Sequence, residues 1–161
     1  MNDQSKRKTF ADPGSGDLSQ FLTYRIARLH LALNAHATAL LAREGEIGLG
    51  QWRLLSMVGS GSAATTRELA DKTKMDPAFI SRTLRSLEAL GLAEATRSPA
   101  DRRQVDLTLT RRGTALYEKV LPRMQARQRR LMATLNKTER TMIFGIIDKL
   151  ERAVTQDGVE G

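Results

Sequence analysis

The chain has 161 residues, a formal net charge of +8, 40% hydrophobic but only 4% aromatic residues, and no cysteine. That length suits one compact domain with a helical appendage, and a core so poor in rings favours packed aliphatic helices over a β-sandwich. The missing cysteine excludes disulfides, thiolate nucleophiles, Cys-ligated zinc and thiol redox sensing, while a pI near 10.4 points to an anionic partner, nucleic acid or a membrane surface.

Residues 1–16, MNDQSKRKTFADPGSG, are polar and basic, then rich in Gly, Pro and Ser, and read as a flexible arm. Lys6, Arg7 and Lys8 within it are a solvated tail on the simpler reading and phosphate contacts on the other. No apolar run reaches membrane-spanning length and the polar start has no signal-peptide core, so a soluble, cytoplasmic protein with no membrane partner is expected. Asp17, with Gln20 three residues on, predicts a capping box that opens the first helix. Leu22, Ile26, Leu29, Leu33, Ala37 and Leu40 carry its stripe to about Glu44. Gly48 precedes a second helix over Gln51 to Gly59, with Trp52, Leu55 and Val58 on one face.

After the loop Gly59 to Ser62, Thr65 and Glu68 predict a capping box for a short helix ending near Thr73. Asp76-Pro77 restarts the chain as N-cap and first helical residue; Ile80, Leu84, Leu87 and Leu90 form the stripe and Gly91 stops it. Two strands follow, near Ala93 to Arg97 and Gln104 to Leu109, the second alternating Val105, Leu107, Leu109 with polar residues. The turn between them is SPADRR, Ser98 to Arg103. A fifth helix spans Arg112 to Leu135 through Leu116, Val120, Met124 and Leu131, with Pro122 placed to kink it. Arg123, Arg127, Arg129 and Arg130 read as its solvated basic face. Asn136 and Glu139 cap a last helix whose stripe is Ile143, Ile146, Ile147, Leu150 and Val154. No internal repeat is visible.

Helix, short turn, helix, then hairpin is the order of a winged helix-turn-helix. On the helix from Pro77 the face away from the stripe presents Ala78, Ser81, Arg82 and Arg85. Small residues at its start allow a close approach to a groove, and the arginines suit guanine edges or phosphate. Thr65, Thr66 and Arg67 stand at the preceding helix N-terminus, where they can meet phosphate. A tip bearing Arg102 and Arg103 has the width to enter a minor groove, with Asp101 orienting the guanidinium or simply forming the turn. Any one of these faces alone is an ordinary solvated surface; their combination favours DNA.

The segment GLAEATRSPADRRQVDLTLTRRG, Gly91 to Gly113, resembles the wing of the MarR (multiple antibiotic resistance regulator) family. The likeness is carried by Gly91-Leu92, Asp101-x-Arg103, Leu109-Thr110 and Gly113, with Glu68-Leu69-Ala70, Ser81-Arg82 and Gln51-Trp52-Arg53-Leu54-Leu55 before them. It covers about Leu18 to Val154. Ala95-Thr96 stands where members often carry Arg-Arg, and Arg97 where proline is common, which reads as a basic contact moved rather than lost. The resemblance implies a mainly α fold with a small β-hairpin wing: a winged helix-turn-helix lobe over residues 47–111 and a helical dimerisation layer from 17–46 and 112–161. It further implies a homodimer binding double-stranded DNA, with the helix entering the major groove through Pro77, Ala78, Ser81, Arg82 and Arg85 and with Arg103, oriented by Asp101, in the adjacent minor groove. Repression relieved by a small aromatic or anionic effector, bound between the lobe and the dimer layer, is the usual role.

The apolar stripes of the terminal helices, at Leu22, Ile26 and Leu29 and at Ile143, Ile146, Ile147 and Leu150, exceed what one lobe can cover and independently predict a partner surface. Tyr24, Arg25, His30, Trp52 and Arg53 are candidates for an effector pocket, although Trp52 also suits a core aromatic and His30 and His36 suit packing or solvent. Two histidines without cysteine argue against a metal sensor, no cofactor motif is present, and no nucleophile elbow, phosphate loop or HExxH motif supports an enzyme. The alternatives are a weakly selective nucleoid-type DNA-binding protein and an activator without effector control.

Overall fold

The computed structural model describes residues 17–97 and 105–157. Its helices are α1 (Leu22–Glu44), α2 (Leu49–Gly59), α3 (Thr66–Thr73), α4 (Pro77–Ala89), α5 (Arg111–Ala133) and α6 (Lys137–Asp157), with the antiparallel strands β1 (Ala93–Arg97) and β2 (Val105–Leu109) between α4 and α5. Among the described residues no helix is long and apolar enough to cross a membrane.

The core lies where α2, α3, α4 and the hairpin meet the end of α1 and the middle of α5. Leu41, Leu54, Leu55, Leu69, Leu87 and Val120 are fully buried there, each such side chain stabilising the fold by about 1.5–3 kcal/mol. The hairpin pairs Ala93 with Leu109 and Arg97 with Val105, so Ala93 and Leu107 turn inward. The segment before α3 joins the sheet: the Leu107 N–H donates to the Ala64 carbonyl at 2.8 Å, and Thr65 bridges to Asp106.

Several boundaries differ from the sequence expectation. Asp17 does not open α1. Its carboxylate accepts from the Ser19 N–H two residues on, which tightens Leu18–Gln20 into a 3-10 turn, and α1 starts only after the extended Phe21. Helix α2 begins at Leu49 rather than Gln51, because the Gln51 side chain reaches back to accept from the Gly48 N–H at 2.6 Å. Glu68 caps Ala64 at 2.7 Å rather than Thr65, while Thr65 accepts from the Glu68 N–H as expected. Gln104 lies outside the described residues, and α5 ends at Ala133, short of Leu135, after running through Pro122 without interruption. The Asp76–Pro77 start of α4 and the reciprocal Asn136–Glu139 cap of α6 are found where the sequence put them.

Arg127 is not part of a solvated basic face. It donates to the Leu33 carbonyl at 2.6 Å and to His36 Nδ1 at 3.3 Å, riveting α5 to α1. Arg123 pairs with Glu44 at 3.7 Å across the same two helices.

The junction of α4 and α5 is a close backbone approach. Gly91 takes the left-handed conformation (φ 63°) and ends α4, turning the chain so that Leu92 N–H returns to the Leu87 carbonyl at 2.9 Å. Gly113 then packs against the Leu92 backbone so closely that a Cβ there would sit 1.8 Å from the Leu92 carbonyl oxygen. Gly113→Ala is therefore expected to destabilise the fold by about 3 kcal/mol or more, since backbone on both sides must move. Gly91→Ala, whose Cβ would meet nothing within 4 Å, should cost only the left-handed backbone, about 1–2 kcal/mol. Urea denaturation of both variants measures the difference; equal losses would refute the close-approach argument.

Candidate nucleic-acid interface

Helix α4 is built to show one face. Asp76 accepts from the Phe79 N–H at 2.9 Å and Pro77 supplies the first helical residue, so the helix starts without an unmet donor at either position. Ile80, Thr83, Leu84 and Leu87 are buried, which leaves Pro77, Ala78, Ser81, Arg82 and Arg85 exposed. Pro77, Ser81 and Arg85 succeed one another at four-residue spacing along one line.

That line is one wall of a cleft. Thr66 and Arg67 of α3 form the opposite wall, and Ile80, Leu84, Ala95 and Val105 the apolar floor. Five of the expected contact residues, Thr66, Arg67, Pro77, Ser81 and Arg85, thus share one cleft of about 490 Å³ between α3, α4 and the hairpin. Ala78 and Arg82 stand exposed on α4 beside it, and Arg97 is exposed at the end of β1. Asp101, Arg102 and Arg103 lie outside the described residues.

One expected contact is corrected. Thr65 is only 6% exposed, and its hydroxyl accepts from the Glu68 N–H. It is held inward by its bridge to Asp106, so it caps α3 rather than presenting a donor to an outside anion. Sequence reasoning also passed over two residues. Glu88 lines the cleft one turn beyond Arg85 and puts a carboxylate at its far end. Gln51 donates from Nε2 to Ser86 Oγ at 2.8 Å while its Oε1 caps α2, so one amide both starts α2 and latches α4. Its place three residues after Gly48 was the available signal for the cap; nothing local marks the latch.

The five effector candidates do not form one site. Trp52 is 6% exposed, within the core, with its ring stacked on Tyr117 at a centroid distance of 6.1 Å. A ring so enclosed has no free face for a ligand, and the core reading replaces the pocket reading. His30 and Arg53 are joined through Asn34, whose amide meets His30 Nε2 at 2.8 Å and accepts from Arg53 at 3.1 Å. Tyr24 is exposed on α1 with Arg28 over its ring at 6.0 Å, and Arg25 lines a separate surface hollow with Arg28 and Leu29.

A short helix, a second helix latched across α2, and a hairpin flanking the second helix's basic face define a winged helix-turn-helix protein, a DNA-binding transcriptional regulator. A model described as the MarR family matches residues 47–104. The chain is 28% identical over 110 residues to the HTH-type transcriptional regulator BilQ of Clostridium symbiosum, covering 68% of this chain and 76% of that one. It is 26% identical over 129 residues to the HTH-type transcriptional repressor Rv2887 of Mycobacterium tuberculosis, covering 80% and 92%. Its fold matches the crystal structure of a MarR/EmrR family transcriptional regulator from Acinetobacter sp. ADP1 with a TM-score of 0.76 at 27% identity, over 83% of this chain and 94% of that one. The fold alone is shared with MepR of S. aureus, solved as a DNA complex, at a TM-score of 0.78 and 18% identity over 83% and 98%. The chain belongs to the MarR family.

Because Gln51 serves α2 and α4 at once, Gln51→Ala should lower stability by about 1–2 kcal/mol and Ser86→Ala by less. A double-mutant cycle measured by denaturation should return a coupling of about 0.5–1 kcal/mol between them; strict additivity would mean the latch carries no energy.

Proposed function

We propose that the protein is a homodimeric, sequence-specific repressor that binds a palindromic operator and releases it when a small aromatic or anionic molecule binds. The observation that carries this reading is the cleft that collects Thr66, Arg67, Pro77, Ser81 and Arg85 beside the exposed Ala78 and Arg82. In this reading α4 enters the major groove. Arg82 and Arg85 have the reach for guanine O6 and N7 or for flanking phosphate, and Arg67 holds the backbone. Arg97 adds a phosphate contact, and the wing residues Asp101, Arg102 and Arg103 serve the adjacent minor groove.

Residues 47–111 form the DNA-binding lobe, and 17–46 with 112–161 the pairing layer. What supports pairing is the exposed apolar surface at both ends of the chain. Leu22, Ile26 and Leu29 are exposed on α1, and α6 has no buried residue among those described, with Ile146 at 48% exposure. Surface of this kind marks a protein partner, and a two-fold pair of lobes matches two half-sites. The name of the M. tuberculosis relative supports the sign of regulation.

Fluorescence anisotropy with DNA flanking the protein's own gene, against a scrambled duplex over a salt series, tests the reading. Tight binding that survives the competitor and falls with salt is expected. Equal binding to both duplexes would favour the nucleoid-type alternative. Arg85→Ala and Arg103→Ala should each cost about 1–3 kcal/mol of operator affinity, and unchanged affinity in either would remove that residue from the interface. Ile146→Arg should yield monomers in sedimentation velocity, because a charge at that position must be desolvated to pair; a persistent dimer would exclude α6 from the pairing surface.

A further inference from the structure

We infer that a cavity beside the α4–α5 junction binds an aliphatic monocarboxylate. The cavity measures about 320 Å³, within the range of about 300–1,000 Å³ usual for small-molecule sites. It opens between the α1–α2 link and the first turns of α5. No residue expected to touch DNA lines it, and none of Tyr24, Arg25, His30, Trp52 and Arg53 does so.

The lining specifies the ligand. Ile47, Leu90, Leu92 and Leu116 make an apolar floor with no ring to stack on, which suits an alkyl chain better than an arene. Arg112 and Lys119 stand seven residues apart on the same face of α5, with the small Ala115 leaving room between them. Against these two cations stands one carboxylate, Glu46, so the site keeps an excess positive charge. Lys119 makes no hydrogen bond or ion pair among the described residues. Arg112 makes one, from Nη1 to the Leu90 carbonyl at 2.9 Å, and a guanidinium has five N–H donors. A carboxylate drawn between the two cations therefore has free donors to meet.

The position gives the site a consequence, which rests on the repressor reading above. Leu90 is the C-cap of α4, so Arg112 holds the end of the recognition helix against α5. A carboxylate competes for that guanidinium and loosens the hold.

Calorimetric titration of the full chain with hexanoate tests the binding, with hexanol and inorganic phosphate as comparators. Saturable binding of one hexanoate per chain is expected. Hexanol, which lacks the charge, and phosphate, which lacks the chain, should bind at least about tenfold more weakly. Lys119→Gln should weaken hexanoate about tenfold, and Ala115→Trp should abolish its binding by filling the space; both should keep the wild-type operator affinity. No saturable binding, or hexanoate binding unaltered in both variants, would overturn the site. In anisotropy, hexanoate should weaken operator binding by the wild type and leave Ala115→Trp unaffected. Hexanoate that binds without moving operator affinity would overturn the coupling alone. A chain that binds hexanoate but no operator would leave the site standing and remove the repressor reading.

Discussion

The contact between Gly113 and the Leu92 carbonyl fixes how the lobe meets the long helices. Only a residue without Cβ permits it, and the hydrogen bonds around it depend on the resulting proximity. Thr110 donates from its hydroxyl to the Gly91 carbonyl at 2.7 Å and from its N–H to the Leu92 carbonyl at 3.2 Å, while accepting from the Gly113 N–H at 3.0 Å. Arg112 reaches the Leu90 carbonyl from the next position. The last carbonyls of α4, at Ser86, Leu87 and Glu88, accept from the N–H groups of Leu90, Leu92 and Gly91, and the C-cap carbonyl of Leu90 is met by Arg112 from the first turn of α5. Helix α4 and the helix that leads to the chain's C-terminal surface meet through the Gly113–Leu92 backbone contact and the Arg112 hydrogen bond.

Helix α4 is gripped at three places along its length. Asp76 and Pro77 set its start, Gln51 holds Ser86 in its last turn, and the α5 joint holds its end. Its backbone is therefore positioned in the free chain, and on the proposed DNA-reading role ordering on binding would fall to the side chains of Arg82 and Arg85. Glu88 shapes the field they work in. A carboxylate one turn beyond Arg85 makes the far end of the cleft poor for phosphate and biases cation contacts toward the helix start. That end also carries the partial positive charge of the helix dipole.

What the sequence made legible and what it hid divide by range. Local signals worked: the Asp76-Pro77 start, the Asn136–Glu139 box and the alternation of β2 each need only a few neighbouring residues. The failures came where a distant partner intervened. Thr65 looked like a surface donor because its bridge to Asp106, across forty-odd positions, leaves no local trace. Arg127 looked solvated because Leu33 and His36 lie on another helix. Trp52 was ambiguous until Tyr117 covered it. At Asp17 the error was local: a carboxylate can cap the second or the third following N–H, and only geometry distinguishes them. Thr66, Arg67, Pro77, Ser81 and Arg85 of the cleft were legible in the sequence, because they lie on two helices of known start and period, whereas Glu88 and the hairpin floor were not.

The terminal helices carry the remaining argument. Most of a helix's stability in a protein comes from packing of its apolar face, and the 21 residues of α6 include no buried one among those described. Met142, Ile143, Phe144, Ile146 and Ile147 are all exposed in the single chain. On the dimeric reading, their burial against a second copy supplies the stability that the chain's own lobe does not. Order at the C-terminus is then linked to protein concentration by mass action. The same linkage reaches DNA. Two lobes joined through these helices meet two half-sites in one event, while a separated lobe must bind each half-site with its own contacts alone. Occupancy of the operator would then rise more steeply with protein concentration than one lobe could achieve.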